Sequence, residues 1–265
     1  HLKMMKISVP EISTQRKIAN ILCPYDELIE SNIRRIGILE EMAQNLYREW
    51  FVNFRFPGHE SVDFIDSSLG WIPEGWECST LGGVLEVKRG KTITKKSAID
   101  EGVPVVGGGL HPSYYHNTPN TTRPTITISA SGANAGYVNI YYEDIWASDC
   151  SFIDKNVTDD VYYYYLMLKD RQKEVTRLQR GSAQPHVYPK DLNRLELVKP
   201  TTSVYQDFRE IVTPIFSLIR ILKSKQLTLR ITRDFLLRKL VSSEIDVENL
   251  DIDVTELIEE EGVVA

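Results

Sequence analysis

Two stretches of this chain carry apolar residues at alternating steps of three and four, each for more than four heptads. In the first, running roughly Ile18 to Phe51, the seam is Ile18, Leu22, Tyr25, Ile29, Asn32, Ile36, Leu39, Ala43, Leu46 and Trp50. In the second, roughly Phe208 to Val241, it is Phe208, Val212, Ile215, Ile219, Leu222, Gln226, Leu229, Arg233, Leu236 and Leu240. A seven-residue apolar repeat sustained this long specifies a coiled coil rather than an ordinary surface helix.

The two seams are copies. A shift of 190 positions takes Leu22 to Val212, Ile29 to Ile219, Leu39 to Leu229 and Leu46 to Leu236. It also takes Pro10 to Pro200 and Pro24 to Pro214, and Leu2, Met5 and Ile7 to Leu192, Leu195 and Leu197. An internal repeat explains the paired prolines, which two unrelated amphipathic helices do not. The chain is thus expected to begin at the closing edge of a domain whose counterpart ends near Pro200. His1 suggests a fragment boundary.

Composition narrows the class. At 265 residues, 42% hydrophobic and 26% charged, the chain has a globular make-up with room for one large or two ordinary domains. No apolar run approaches a membrane span, and no charged-then-apolar leader opens the chain. Cys23, Cys78 and Cys150 lie far apart without a CxxC, which fits a reducing cytoplasm better than a disulfide framework. The net charge of −6 argues against nucleic acid until the tail is set aside. Residues 244–265 hold nine acids and no Lys or Arg, so the rest keeps 28 of the 37 acids against 31 basic residues, a net of +3. Local patches therefore decide. The tail itself reads as a solvated, partly disordered end.

Between the helices the pattern changes. Ser13 or Thr14 is the expected N-cap of the first helix, and Pro24 should kink or break it near Cys23, with the same bend at Pro214. Phe51 to Asp66 reads as a linker, and Gly70–Trp76 opens a new domain. From Leu81 to about Ile153, short Val/Ile/Thr/Tyr runs alternate with Gly, Asn and Pro turns, as in β structure. Asp160 to Gln179 reads as a helix and Leu192 to Val198 as a short strand. The expected fold class is α+β, one globular domain flanked by two long helices. Its expected segments are 1–10, a domain's closing edge; 11–56, a first long helix; 67–200, the globular domain; 201–247, a second long helix; and 248–265, an acidic tail.

Catalytic motifs fail one by one. Arg89-Gly90-Lys91-Thr92 lacks the earlier glycine of a phosphate-binding P-loop, since that position is Leu85. Val105-Val106-Gly107-Gly108-Gly109 loosely matches a cofactor glycine loop, but no helix follows it, so the glycines are assigned to turns. His1, His59, His111, His116 and His186 have no metal-ligand spacing, and no Gly-x-Ser-x-Gly elbow occurs. Cys150 beside Asp149 reads as an inert core thiol rather than a nucleophile. Two features remain. The basic run Lys88, Arg89, Lys91, Lys95 and Lys96 is either a solvated loop or a phosphate-contacting one. Three polar-aromatic stretches, His111–Asn117, Ser129–Tyr137 and Ser182–Tyr188, are either ordinary surface loops or base-reading ones, since Asn and Gln pair with adenine edges and Ser or Tyr reaches bases or phosphates.

Taken together, these segments resemble the specificity subunit of type I restriction-modification systems. The resemblance rests on Val9-Pro10 with Gln15-Arg16-Lys17-Ile18-Ala19-Asn20-Ile21-Leu22, on Asp26, Ile29 and Leu39-Glu40 to Phe51, on Pro73-Glu74-Gly75-Trp76 with Leu81-Gly82, and on Gly181–His186 through Asp191-Leu192. It covers nearly everything to about Val247. The second copy departs from the first in having Tyr205-Gln206-Asp207-Phe208 where the first has Gln-Arg-Lys-Ile.

The resemblance implies a non-catalytic subunit serving DNA methylation and host defence. Two target recognition domains would each read half of a split site, with two antiparallel helices as spacer. Here one recognition domain is present. Implied partners are double-stranded DNA, methyltransferase subunits carrying S-adenosylmethionine, restriction subunits using ATP and Mg²⁺, and a possible second copy of the chain; no cofactor is expected on this chain itself. Base readers are expected at Tyr114, Tyr115, Asn117, Ser131, Asn134, Gln184 and His186, and phosphate contacts at Lys88, Arg89, Lys91 and Lys96. The polar seam residues Asn32, Gln226 and Arg233 should fix helix register. Trp50 is a candidate to face a partner subunit. The alternative is a scaffold or dominant-negative fragment that binds methyltransferase subunits without reading DNA.

Overall fold

A computed structural model describes residues 10–94, 97–112, 114–181, 184–248 and 250. The chain divides into two compact units, one of His1–Glu40 with Ser217–Ala265 and one of Glu41–Phe216.

The first unit is built on the two long helices. Helix α1 spans Ile12–Tyr47 and α6 spans Thr202–Val241. Within this unit Lys223 bonds Glu40, Arg233 bonds Asp26, and Lys17 bonds the carbonyls of Glu248 and Leu250. One numbering rises as the other falls, so the helices pack antiparallel. Every predicted seam residue of the unit is buried or half-buried, from Ile18, Ile29 and Ile36 to Ile219, Leu222 and Leu240. Ile18, Leu240 and Val247 form its apolar end, with Ile21, Leu22 and Leu236 against them. A sustained apolar stripe on each helix is what buries this face.

The expected cap changes here, and of the kink or break expected at each proline the break does not occur. Helix α1 begins at Ile12, which puts Ser13 and Thr14 inside the first turn rather than at the cap; the first bonds are instead Gln15 N to Glu11 O and Gln15 Nε2 to Pro10 O. Neither proline breaks its helix: α1 continues through Pro24 and α6 through Pro214, both exposed. A proline ring removes one hydrogen bond, and the paired apolar seam on either side outweighs that loss.

The second unit has a core of strands. The four-stranded antiparallel sheet has the order β4 (Lys88–Arg89), β10 (Cys150–Asp154), β7 (Thr125–Ser129), β8 (Val138–Tyr141). Strands β7 and β10 pair from Cys150↔Ser129 to Asp154↔Thr125, and all five residues of each are buried. Burial on both faces takes in the polar positions as well, Thr125, Thr127 and Ser129 of β7 with Ser151 and Asp154 of β10. Helix α3 (Val161–Asp170) covers β7 and β8 with Val161 and Tyr163–Leu168 buried. The chain then turns at Arg171 into α4 (Gln172–Arg177), so the expected single helix over 160–179 is two.

A three-stranded sheet, β6 (Tyr114–His116), β5 (Val103–Val106), β9 (Trp146–Ala147), stands beside it, with β5 and β9 parallel. Strand β11 (Glu196–Lys199) pairs with β3 (Glu77–Thr80), which runs into the short helix α2 (Leu81–Val84). The short strand expected from Leu192 therefore starts later, because Pro189–Leu192 forms a helical turn, α5, first.

The expected linker after Phe51 is instead packed. Helix α1 ends in a π-helical turn, Arg48–Val52. The Phe51 ring meets Tyr163 and Phe208 edge-on at 4.8 Å each and Trp76 at 5.9 Å, while Phe56 stacks on Trp76 at 5.2 Å. Strand β1 (Phe64–Ser67) then forms a hairpin with β2 (Gly70–Pro73). Trp50, expected to face a partner, is only 5% exposed and lies 5.6 Å from the Phe208 ring. An indole on the helix face that meets Phe208 stabilises the unit more by burial than it would by waiting for a partner.

Candidate nucleic-acid interface

The candidate site is assembled by the edges of both sheets. Strand β4 lies against β10, with Arg89 opposite Ser151. The chain stays in contact beyond the strand: Gly90 N donates to Cys150 O at 2.8 Å, and Lys91 N to Ala147 O at 2.9 Å. A Cβ on Gly90 would stand 2.1 Å from the Ser148 carbonyl oxygen, so only glycine permits this approach. The basic run is thus an edge strand rather than a free loop.

That pairing carries Arg89 to Asp149, 60 residues away in sequence. The Arg89 guanidinium donates from Nη2 to Asp149 Oδ1 at 3.0 Å, and the Ser131 hydroxyl donates to Asp149 Oδ2. Both carboxylate oxygens are therefore occupied. The main chain ties the Ser131 segment to Asp149 and to the loop before His186, since Ala130 N donates to Asp149 O at 3.1 Å and Gly132 N to Pro185 O at 3.1 Å. Ser131 also bridges to His186, which exchanges backbone bonds with Arg180.

The glycine loop after β5 has its own part. A Cβ on Gly108 would stand 2.8 Å from Ser131 O. Its carbonyl instead accepts from Ser129 Oγ at 3.0 Å and lies 3.5 Å from Asn134 Nδ2. So Gly108 serves a close approach of two backbones.

Four of the expected base readers thus share one region: Ser131, Asn134, Gln184 and His186, with Gln184 exposed and the others half-buried. The His186 ring stacks near Tyr188, centroids 5.9 Å apart. Tyr114, Tyr115 and Asn117 belong to a second group on and after β6. Tyr115 and Asn117 are exposed, whereas the Tyr114 hydroxyl donates to Ile93 O at 3.0 Å and is committed internally. This group adjoins Lys91 through Trp146, whose indole N–H donates to Lys91 O at 2.9 Å and whose ring lies 4.5 Å from that of His116.

Lys88, Arg89 and Lys91 line one cleft of about 500 Å³ with Asn120, Asp154 and Asn156. The remaining expected phosphate contact, Lys96, lies outside the described residues. Asp149 and Trp146 fall outside the stretches that the sequence marks as an interface, while His116 lies within the His111–Asn117 stretch. Nothing local marks Asp149 or Trp146, because strand pairing brings them to Arg89 and Lys91.

Cys150 lies directly after Asp149 but does not join this surface. It is fully buried, its thiol faces Val106 O at 3.7 Å, and burial pushes its pKa up to about 12. The thiolate needed for nucleophilic chemistry is therefore suppressed. Among the described residues, no group of three His, Cys, Asp or Glu side chains is placed to hold a metal ion. Among them, too, no helix is long and apolar enough to cross a membrane.

Residues 73–231 match the family described as type I restriction modification DNA specificity domain. Over 94% of its length the chain is 27% identical to the type I restriction enzyme MjaIX specificity subunit of Methanocaldococcus jannaschii, and over 93% it is 23% identical to the MjaVIII specificity subunit of the same organism. It spans only 62% and 64% of those two proteins. In fold it is similar to the S subunit of a type I restriction-modification system from M. genitalium, with a TM-score of 0.63 and 21% identity, covering 87% of this chain and 61% of that one.

Proposed function

The chain belongs to the type I restriction-modification DNA specificity family, and from that premise we propose that its globular unit reads one half of a bipartite duplex site. In this reading it is a non-catalytic subunit that directs methyltransferase and restriction subunits to DNA in the cytoplasm. S-adenosylmethionine, ATP and Mg²⁺ belong to those partners. The paired helices act as spacer and docking surface.

The observation that carries the reading is the convergence of Ser131, Asn134, Gln184 and His186, from loops far apart in sequence, beside a basic edge strand locked in place by Gly90. Base readout needs donors and acceptors held in fixed relation, and phosphate contact needs cations along the same edge. Lys88 and Lys91 supply the latter. Exposed apolar residues on the helices, Leu28, Ile33 and Ile38 on α1 and Leu227, Ile231 and Phe235 on α6, support the docking role.

The test is a duplex-binding assay with the purified chain, alone and with its cognate methyltransferase subunit. A shift selective for particular sequences supports the reading. Binding of the methyltransferase subunit with no sequence preference in the complex would leave a protein scaffold instead.

A further inference from the structure

We infer that Arg89 is a base-reading residue, not a phosphate clamp, and that Asp149 and Ser131 are positioning residues that aim its guanidinium at a guanine edge in the major groove. The inference rests on the DNA-reading function proposed above and assigns one of its specificity determinants.

Three observations support it. First, Asp149 fixes the orientation of Arg89. An arginine held at Nη2 has its planar fork restrained, and the remaining donors stay free for a second, bidentate partner. Guanine presents such a partner in its O6 and N7 acceptors. A phosphate can also be gripped by a fork, but a point charge such as lysine serves it as well, whereas a base edge is read only by donors held in a fixed plane.

Second, the charge is already balanced. Arg89 and Asp149 are similarly exposed, with side chains 41% and 38% accessible. A carboxylate this close offsets the attraction of the guanidinium for a phosphate backbone and repels the phosphate itself. Lys91, two residues on, forms no ion pair among the described residues and is the better phosphate contact.

Third, the brace is itself braced. Asp149 Oδ2 is taken by Ser131, whose backbone is packed against Gly108, and Arg89 sits on a strand whose next residue cannot carry a side chain. The whole trio is therefore held by main-chain contacts on both sides. A readout group gains affinity from such preorganisation because less side-chain entropy is lost on binding.

The experiment is selection of bound duplexes from a randomised pool by the full chain with its methyltransferase subunit, for wild type, Arg89→Lys, Arg89→Met and Asp149→Asn. Wild type should select a site containing one guanine on which the preference falls about tenfold or more in all three variants, with the other positions unchanged. Arg89→Lys keeps the charge and the stem, so misfolding does not account for a loss confined to one position. The salt dependence of binding gives an independent readout. Arg89→Met should leave the slope of log K against log salt unchanged, whereas removal of a phosphate contact lowers it by about 0.9.

A uniform loss of affinity across sequences with a reduced salt slope would overturn the inference and restore Arg89 as a phosphate contact. An unaltered preference in Asp149→Asn would overturn the positioning role of the carboxylate. If wild type selects no sequence at all, the DNA-reading function falls as well, an outcome distinct from the other two.

Discussion

Arg233 donates to Asp26 at 2.5 Å across 207 residues of sequence, joining the two long helices at a position where the seam is polar. The same guanidinium holds Asp234 at 2.8 Å, and the two carboxylates, Asp26 first, raise its pKa. A double-mutant cycle between Asp26→Asn and Arg233→Gln should give a small favourable coupling. Because the pair is solvent-accessible, that coupling should shrink as salt rises from 0.1 M to 1 M and the screening length falls from about 10 Å to about 3 Å. A coupling indifferent to salt would show that the pair is not held by Coulomb attraction.

Asn32 makes the opposite case. It is 7% exposed on the seam. Asn32→Leu should stabilise the helix pair by about 1 kcal/mol in thermal melts, since burying an amide among apolar side chains is unfavourable. The gain should come with looser register, read as a wider set of cross-links between cysteines placed along the two helices.

Phe51→Ala should destabilise the globular unit by about 3–5 kcal/mol in denaturant titrations. The ring is edge-on to both Tyr163 and Phe208, so its removal leaves a cavity among α3, the start of α6 and the end of α1. Trp71→Ala, on an exposed hairpin position, should change stability by less than about 0.5 kcal/mol.

The buried thiol and phenol predict an alkaline limit. Burial is the largest cause in raising both Cys150 and Tyr141 to about 12. For a group whose folded pKa lies above its unfolded value, the stability it lends is complete below the unfolded pKa and is lost as pH rises through the folded one. The melting temperature should therefore hold to about pH 8 and fall progressively from pH 9 towards 12. In the native protein a thiol reagent should modify exposed Cys78 readily and Cys150 only on unfolding. Rapid modification of Cys150 at pH 8 would contradict its burial.

Lys91→Ala should weaken binding to all duplexes alike and reduce the salt slope by about 0.9. Gln184→Ala should instead relax one base pair by about 1–3 kcal/mol. Methylome sequencing of cells carrying the assembled enzyme reads the second effect directly. An unchanged motif in the Gln184 variant removes that residue from the set of base readers.

The helices were legible because their signal repeats. Ten seam positions in each copy recur with one period, and the structure buries or half-buries all of them, from Ile18 to Trp50 and from Phe208 to Leu240. The aromatic cluster was not legible. Phe51, Phe54, Phe56 and Trp76 follow neither a helical nor a strand period, and Pro57-Gly58 between them looks like a linker. Phe51 takes its place from Tyr163 on α3 and Phe208 on α6, more than a hundred residues away, and Trp76 packs on Phe51, Phe54 and Phe56 in turn. The polar loops were visible as composition, but their convergence was not. Ser131 meets Asp149 and Asp149 meets Arg89 only through the pairing of β4, β10 and β7. Sequence showed Arg89 as one cation among five, and its carboxylate partner sets it apart.

The occupied carboxylate of Asp149 has a consequence for how such a surface diversifies. Replacing Arg89 alone leaves half of a carboxylate without its donor. Replacing Asp149 alone frees both a guanidinium and a hydroxyl. Replacing Ser131 alone loosens the brace while leaving the reader in place. Each one-residue step therefore passes through a poorly satisfied intermediate, and a new preference at this position is reached most readily by exchanging the three residues as a set. Isolated loop-tip residues such as Gln184 and Asn117 carry no such linkage and can drift singly. Within one surface, then, one position should be inherited as a block while its neighbours vary freely.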